Sequence, residues 1–175
     1  TEWRQVIAAV RSVFSGRLTY AANWDSLDRV PFWDALDSIG VHAYFPLTLG
    51  ATRDRSALSS GWDKPLAELE ELSRLHQGKP ILFAEIGYPR SPRAAMEPWI
   101  PDNLVLPEVI SLRQTLIEVA LETIEQAPFI EGMFWWKWIP GDNRWDRDFS
   151  MKDQEALQAL RRYWGSEEPT ALSAQ

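Results

Sequence analysis

The sequence predicts an α/β fold in which parallel strands alternate with crossover helices. Two observations carry this prediction. Four short and largely apolar runs, each typical of a buried parallel strand, alternate with segments whose apolar residues recur at helical spacing. In addition, the long loops follow strands, whereas only a few residues lead from each helix into the next strand. This order is typical of a parallel sheet covered by helices.

The first part of the chain predicts one helix and two strands. Apolar positions at helical spacing indicate a helix over residues 2–14, and the apolar run 18–24 reads as the first strand. Residues 32–36 predict a short helix before the second strand at 38–44. Residues 48–62 are polar and irregular, which is typical of a long surface loop.

The remaining elements continue the alternation. Pro65 suits the first turn of a helix that its leucines carry to Gly78, and residues 81–88 follow as the third strand. Residues 107–126 predict the longest helix, residues 130–138 the fourth strand, and a last helix covers 153–164.

The number of strands indicates half of a larger fold. A (β/α)8 barrel takes about 250 residues and eight strands, whereas this chain has 175 residues and four predicted strands. We expect residues 1–165 to form the C-terminal half of a TIM (β/α)8 barrel, strands five to eight, with a polar tail at 166–175. A doubly wound sheet is the alternative, but no Gly-rich phosphate turn follows any strand.

A half-barrel would expose two sheet edges and its apolar inner face. Such surfaces pair readily with another chain. The expected partners are therefore a missing N-terminal half-barrel or a second copy of this chain.

Composition excludes several other classes of function. The net charge of -7 and the absence of a Lys or Arg run argue against nucleic acid. No apolar run is long enough to span a bilayer, so no membrane partner is expected. His42 and His76 lie on different elements without ligand spacing, and the chain has no cysteine, so no metal is expected. The cellular compartment stays open.

Tryptophan is unusually frequent, with 10 residues in 175. Its flat apolar ring with a polar edge suits stacking on the C–H faces of sugar rings. The count therefore favours carbohydrate contact, although packing alone also employs such rings.

Glu85 is the main candidate for chemistry because it lies in an apolar strand. A carboxylate there is costly unless it is paired or used. By strict alternation Glu85 would share a face with Ile81 and Phe83, and we expect that face to line the barrel interior. The alternative is an ion pair with an Arg or Lys at the barrel rim.

Two side chains on the preceding strand are expected beside this carboxylate. His42 and Tyr44 alternate and point the same way, so Tyr44 would contact Glu85 if the two strands are neighbours. A phenol there can donate a hydrogen bond and orient the carboxylate. His42 is predicted to bind substrate, and a satisfied core histidine is the alternative.

Aromatic residues at other strand ends are the predicted substrate-binding surface. Trp136 and Trp138 share a face of the last strand and are expected to floor the pocket, whereas Trp135 is expected to pack against helices. The alternative is that all three belong to the core. Tyr88, at the end of the third strand, is also predicted to contact substrate.

The first strand offers a further pair, and three loop tryptophans complete the set. Asn23 and Trp24 are both candidates to line the groove, although alternation lets only one of them point inward. Trp62, Trp99 and Trp145 lie in predicted loops after strands, where they would form outer sugar-stacking sites or pin the loops.

Four segments together resemble the second half of family 113 glycoside hydrolases, β-mannanases of a large clan of retaining (β/α)8 enzymes. They are residues 18–24, 37–47, 79–88 and 132–138, of which Glu-Ile-Gly-Tyr and Trp-Trp-Lys-Trp are the most specific parts. The resemblance implies that Glu85 is the catalytic nucleophile, and hydrolysis through a glycosyl-enzyme intermediate needs no cofactor, so none is expected. It also implies that the acid/base Glu would lie just before the first helix of this chain, and Glu2 does not match that position.

The resemblance therefore leads to two readings of function. The first is a retaining glycosidase on β-1,4-mannan or a related β-linked polysaccharide, present as a fragment with the nucleophile and without the acid/base. The second is an inactive carbohydrate-binding or assembly module. Apart from the resemblance, an unrelated structural α/β domain is a third reading, and it predicts no sugar affinity. Within the chain, Asp25, Glu97 and Asp142 are the loop carboxyls that would have to replace the acid/base. We expect the chain alone to be inactive or nearly so.

Overall fold

A computed structural model describes residues 2–141 and 148–165 of the chain. Its four strands form one parallel sheet in the order β1-β2-β3-β4, and helices alternate with them. The predicted parallel α/β fold is thus confirmed. The strands are β1 (Thr19–Asn23), β2 (Ser38–His42), β3 (Ile81–Ile86) and β4 (Ile130–Trp135). The helices are α1 (Glu2–Val13), α2 (Arg55–Ser60), α3 (Asp63–Leu75), α4 (Pro107–Glu125) and α5 (Gln154–Trp164). The predicted tail at 166–175 lies outside the described residues.

The sheet has one face against the helices and one open inner face. Alternate residues of β2 and β3, namely Ile39, Val41, Ile81 and Phe83, are completely buried and belong to the main core cluster. The opposite face is less covered. Near its amino-terminal end, Arg17 and Glu131 form an ion pair at 2.6 Å, although they belong to the β1 and β4 sides of the sheet.

The predicted loop at 48–62 is partly helical. Asp54 caps helix α2, since its carboxylate accepts hydrogen bonds from two backbone N–H groups of the first turn at 3.3 Å. Trp62 does not form an outer sugar site, because it is 1% exposed and stacks on Phe83 with ring centroids 6.2 Å apart. The short helix predicted at 32–36 is a 3-10 turn, Trp33–Ala35.

An irregularity in β3 changes the face on which Glu85 lies. Val41 of β2 pairs with Phe83, but the next residue, His42, pairs with Glu85, so β3 contains one additional residue at this point. A bulge of this kind reverses the alternation beyond it. The prediction that Glu85 shares a face with Ile81 and Phe83 is therefore wrong, because those two residues face the helices. Glu85 faces the inner side, with His42.

A buried ion cluster holds the last two helices and the loops beside them. Arg113 of α4 is 1% exposed and contacts Glu155 at 2.9 Å and Asp153 at 3.0 Å, both at the start of α5. Its Nε donates to the carbonyl of Tyr88 at 2.7 Å. Arg90 binds the same Glu155 at 2.7 Å. Burial opposes ionisation of Glu155, but hydrogen bonds from the two arginines outweigh it and hold the pKa of Glu155 below its ordinary value.

We expect Arg113→Met to lower the free energy of unfolding by about 3–5 kcal/mol, because it removes the buried one of the two guanidinium groups that Asp153 and Glu155 share and leaves only Arg90. Urea unfolding followed by circular dichroism measures the change. Arg74→Met is the matched control, since Arg74 forms its ion pair with Glu71 on the exposed side of α3 and should unfold at the same urea concentration as the parent. Equal midpoints for the two variants would contradict a stabilising role for the cluster.

Candidate active site

Three neighbouring strands bring polar side chains to one level of the inner face. Asn23 at the end of β1 pairs in register with His42 of β2, and His42 pairs with Glu85 of β3. Residues paired across parallel strands point to the same side of the sheet. The carboxyl ends of these strands therefore form a polar row, and long loops follow each of them.

Glu85 is held by two side chains of the neighbouring strand region. The Tyr44 hydroxyl donates a hydrogen bond to Glu85 Oε2 at 3.0 Å. His42 Nε2 lies 3.4 Å from the other oxygen, Oε1. The Glu85 side chain keeps 28% of its surface exposed, so the carboxylate is oriented and still accessible. Such a group can attack an electrophilic carbon or accept a proton from a ligand.

The phenol of Tyr44 is in the protonated form that this hydrogen bond requires. Burial raises the pKa of its phenol far above the ordinary value, and the charge of Glu85 and the hydrogen bond to it act in the same direction. The phenol therefore stays protonated through the physiological range. Its ring packs edge-on against Phe149, with centroids 6.1 Å apart.

The end of β4 comes close to the end of β3. The backbone N–H of Trp136 donates to the carbonyl of Ile86 at 2.7 Å. Gly87 follows directly, and a Cβ there would lie 2.5 Å from the Trp136 carbonyl oxygen, so only glycine fits this approach. Trp136 and Trp138 are 41% and 58% exposed, as binding surfaces require. Trp135 packs against the core cluster, as expected.

The structure does not bring two of the predicted substrate residues to this face. Trp24 lies on the opposite side of the sheet from Asn23, packed beside Phe45 at 6.1 Å. Of the pair at the end of β1, Asn23 is thus the inward residue. Tyr88 is 2% exposed, which leaves no ring surface for a ligand, and burial raises its pKa well above the ordinary value.

The structure describes two of the three loop carboxyls considered as replacement acids. Asp25 lines a cavity beside Trp24 on the helix side of the sheet. Glu97 forms an ion pair with Arg93 at 2.5 Å. Asp142 and Trp145 lie outside the described residues.

Sequence reasoning missed two residues that support the site. Phe149, between β4 and α5, packs on Tyr44, and its carbonyl accepts from the backbone N–H of Lys137 at 3.0 Å. Lys137 places its Nζ 5.7 Å from the centre of the Trp136 ring and 3.5 Å from Asp148. Lys137 follows β4 in a Trp-rich motif, which was a usable signal. Nothing in the sequence pattern around Phe149 indicates its role.

Residues 2–141 and 148–165 contain neither a group of metal ligands nor a membrane-spanning helix. No group of three or more His, Cys, Asp or Glu side chains is arranged to hold a metal ion there. No helix in this part of the chain is both long and apolar enough to cross a membrane.

Comparison with known proteins relates the chain to one family of enzymes. The family model of Glycoside Hydrolase Family 113 matches residues 1–155. No curated protein sequence matches the chain.

Solved structures match the fold over nearly the whole chain. A GH113 β-1,4-mannanase is 24% identical with a TM-score of 0.73, and the match covers 94% of this chain and 50% of that one. The β-mannanase AaManA from Alicyclobacillus acidocaldarius, in complex with ManMIm, is 25% identical with a TM-score of 0.73, covering 91% and 48%. A β-glucuronidase from Ruminococcus gnavus shares 14% identity and a TM-score of 0.62, covering 92% and 29%. The chain thus spans about half of the mannanases, and its sheet matches part of a (β/α)8 barrel.

Replacing Glu85 should change the ionisation of Tyr44 in a defined way. We expect Glu85→Gln to lower the pKa of Tyr44, because the amide removes the negative charge, yet to leave it above the ordinary value, because the ring remains buried. NMR of tyrosine labelled with ¹³C at the ζ carbon measures the pH at which Tyr44 begins to ionise. Glu97→Gln is the control and should leave Tyr44 unchanged. If the pKa of Tyr44 is the same in the Glu85 variant as in the parent, Tyr44 and Glu85 are not in contact in solution.

Proposed function

The chain belongs to Glycoside Hydrolase Family 113, and from this membership we propose that it is the nucleophile-bearing half of a retaining glycosidase on β-1,4-mannan or a related β-linked polysaccharide. The observation that carries the proposal is the hydrogen bond from Tyr44 to Glu85 at the carboxyl end of β3. Active sites of (β/α)8 barrels gather at this end of the strands.

In the proposed reaction Glu85 is the nucleophile. One carboxylate oxygen attacks the anomeric carbon, the bond to the leaving-group oxygen breaks, and a covalent glycosyl-enzyme forms, which water then hydrolyses. Tyr44 holds Oε2, and His42 lies nearest to Oε1. The neutral phenol keeps the carboxylate in one orientation, so little entropy remains to be lost when the sugar arrives.

Substrate contacts are proposed for the surfaces that surround this carboxylate. Asn23 and His42 lie at the level of Glu85 and offer hydrogen bonds to sugar hydroxyls. The exposed rings of Trp136 and Trp138 supply flat surfaces for the C–H faces of pyranose rings.

We further propose that the acid/base comes from outside residues 2–141 and 148–165. Retention requires two carboxyls about 5 to 5.5 Å apart. Asp25 faces a cavity on the other side of the sheet, and Glu97 is paired with Arg93. The matched mannanases are about twice as long as the aligned region, which supports a partner half-barrel that covers the inner face. The chain alone would then hydrolyse polysaccharide at a negligible rate.

A mechanism-based reagent tests the nucleophile without needing the acid. In 2-deoxy-2-fluoro-mannosyl fluoride the leaving group is fluoride, which departs without protonation. We expect a one-sugar adduct by intact mass, on the peptide that contains Glu85, when this chain is incubated with the upstream half. Glu85→Gln should not react, and Glu97→Gln should react like the parent. If the sugar binds but no adduct forms, either with the chain alone or with the upstream half present, the assignment moves to an inactive carbohydrate-binding module.

Tyr44→Phe should slow this labelling by about 10- to 100-fold, because a donor that orients the reacting carboxylate is lost. The rate of adduct formation, followed by mass, gives the value. Tyr20→Phe serves as the control, since Tyr20 packs on the helix side with Phe32. If the two variants label at the same rate, Tyr44 does not position the nucleophile.

A further inference from the structure

A cavity of about 380 Å³ lies on the helix side of the sheet, between the loop after β1 and helix α3. Its volume is in the range of small-molecule sites. Apolar side chains form much of the wall, with Phe45, Leu69 and Leu72 beside the ring of Trp24. The cavity is separate from Glu85, which faces the opposite side of the sheet.

The Trp24 ring is fixed in place by other aromatic rings. It stacks on Trp99 with centroids 5.8 Å apart and an interplanar angle of 28°. Its other aromatic neighbour, Phe45, is buried in the core. An aromatic wall that is already held rigid loses little entropy on binding a ligand.

Three carboxylates surround this apolar wall, from Asp25, Asp28 and Glu68. Within the described residues, the Asp25 and Asp28 carboxylates accept no hydrogen bond and form no ion pair. Glu68 has only an exposed pair with Lys64 at 3.6 Å. These oxygens are free to accept hydrogen bonds from a ligand.

A pyranose ring matches this combination of groups. Its C–H faces are apolar and pack on aromatic and aliphatic walls, while its hydroxyls donate to carboxylates at the rim. A flat, neutral, hydroxyl-rich ligand uses both parts of the cavity, whereas a purely apolar one would leave the carboxylates unused.

We propose that this cavity is a second saccharide site, which binds one or two units of the polysaccharide chain on which the proposed function acts. The inference rests on that proposed function. Asn23 and Trp24 are consecutive and face opposite sides of the sheet, so the two sites flank the same strand end. A polymer that crosses this rim reaches both, and the second site holds it near Glu85 between reactions.

NMR titration of the full chain with mannohexaose tests the proposal, observing indole N–H groups and leucine methyls. We expect the signals of Trp24, Leu69 and Leu72 to shift. Glu68→Ala should weaken this response about tenfold, because a charged hydrogen-bond acceptor is lost. Glu70→Ala is the matched control, since Glu70 is exposed on the same helix and is not among the residues that line this cavity. Asp28→Asn is a second test variant, which removes the charge of another of the three carboxylates and should weaken the response in the same direction. It carries little risk to folding because Asp28 is exposed.

The outcomes separate this inference from the function on which it rests. Shifts confined to Trp136 and Trp138, with labelling of Glu85, would overturn the second site and leave the glycosidase intact. Shifts at the cavity without labelling would support the site while the proposed reaction fails. A response of the cavity to spermidine and none to mannohexaose would show a cation site and overturn the proposal.

Discussion

The buried guanidinium of Arg113 is the interaction on which the second half of the fold depends. It joins helix α4 to the start of α5 through Asp153 and Glu155, and to the chain after β3 through the carbonyl of Tyr88. It also donates to the carbonyl of Ser150, next to Phe149, the residue that packs on Tyr44. A charge buried for structural reasons thereby fixes the segment that supports the candidate nucleophile. Burying this guanidinium costs desolvation free energy, which is tolerable only because its N–H groups find acceptors on all sides.

Hydrophobic periodicity predicted the strands and the long helices well, because a continuous apolar run such as residues 81–83 is typical of a parallel strand, here with Ile81 and Phe83 fully buried and Leu82 half-buried on the inner face. It failed where the number of residues, and not their type, decides the geometry. The bulge in β3 adds one residue between Phe83 and Glu85, and alternation then gives the wrong face. Helix α2 was missed because its six residues, with several serines, lack a readable period and depend on the cap from Asp54.

For the site, the sequence predicted contacts between neighbouring strands better than it predicted exposure. The pairing of Tyr44 with Glu85 follows from two adjacent parallel strands that end at one edge of the sheet, and the hydrogen bond is present. The exposure of Tyr88 and the direction of Trp24 were not readable, since aromatic rings pack in cores as readily as they line pockets. Tertiary packing around Arg113 and beside Phe45 decides those two cases.

The strand order has a consequence for how the chain acquires its structure. In the part of the chain that the structure describes, each strand pairs only with strands adjacent to it in sequence, so every new ladder closes a loop no longer than one connection with its helix. The entropy lost at each closure depends on that single unit and not on the whole chain. During synthesis, β2 can dock on β1 before β3 has left the ribosome, and each later strand extends an existing template. The edge of β4 is then the growing end of the sheet.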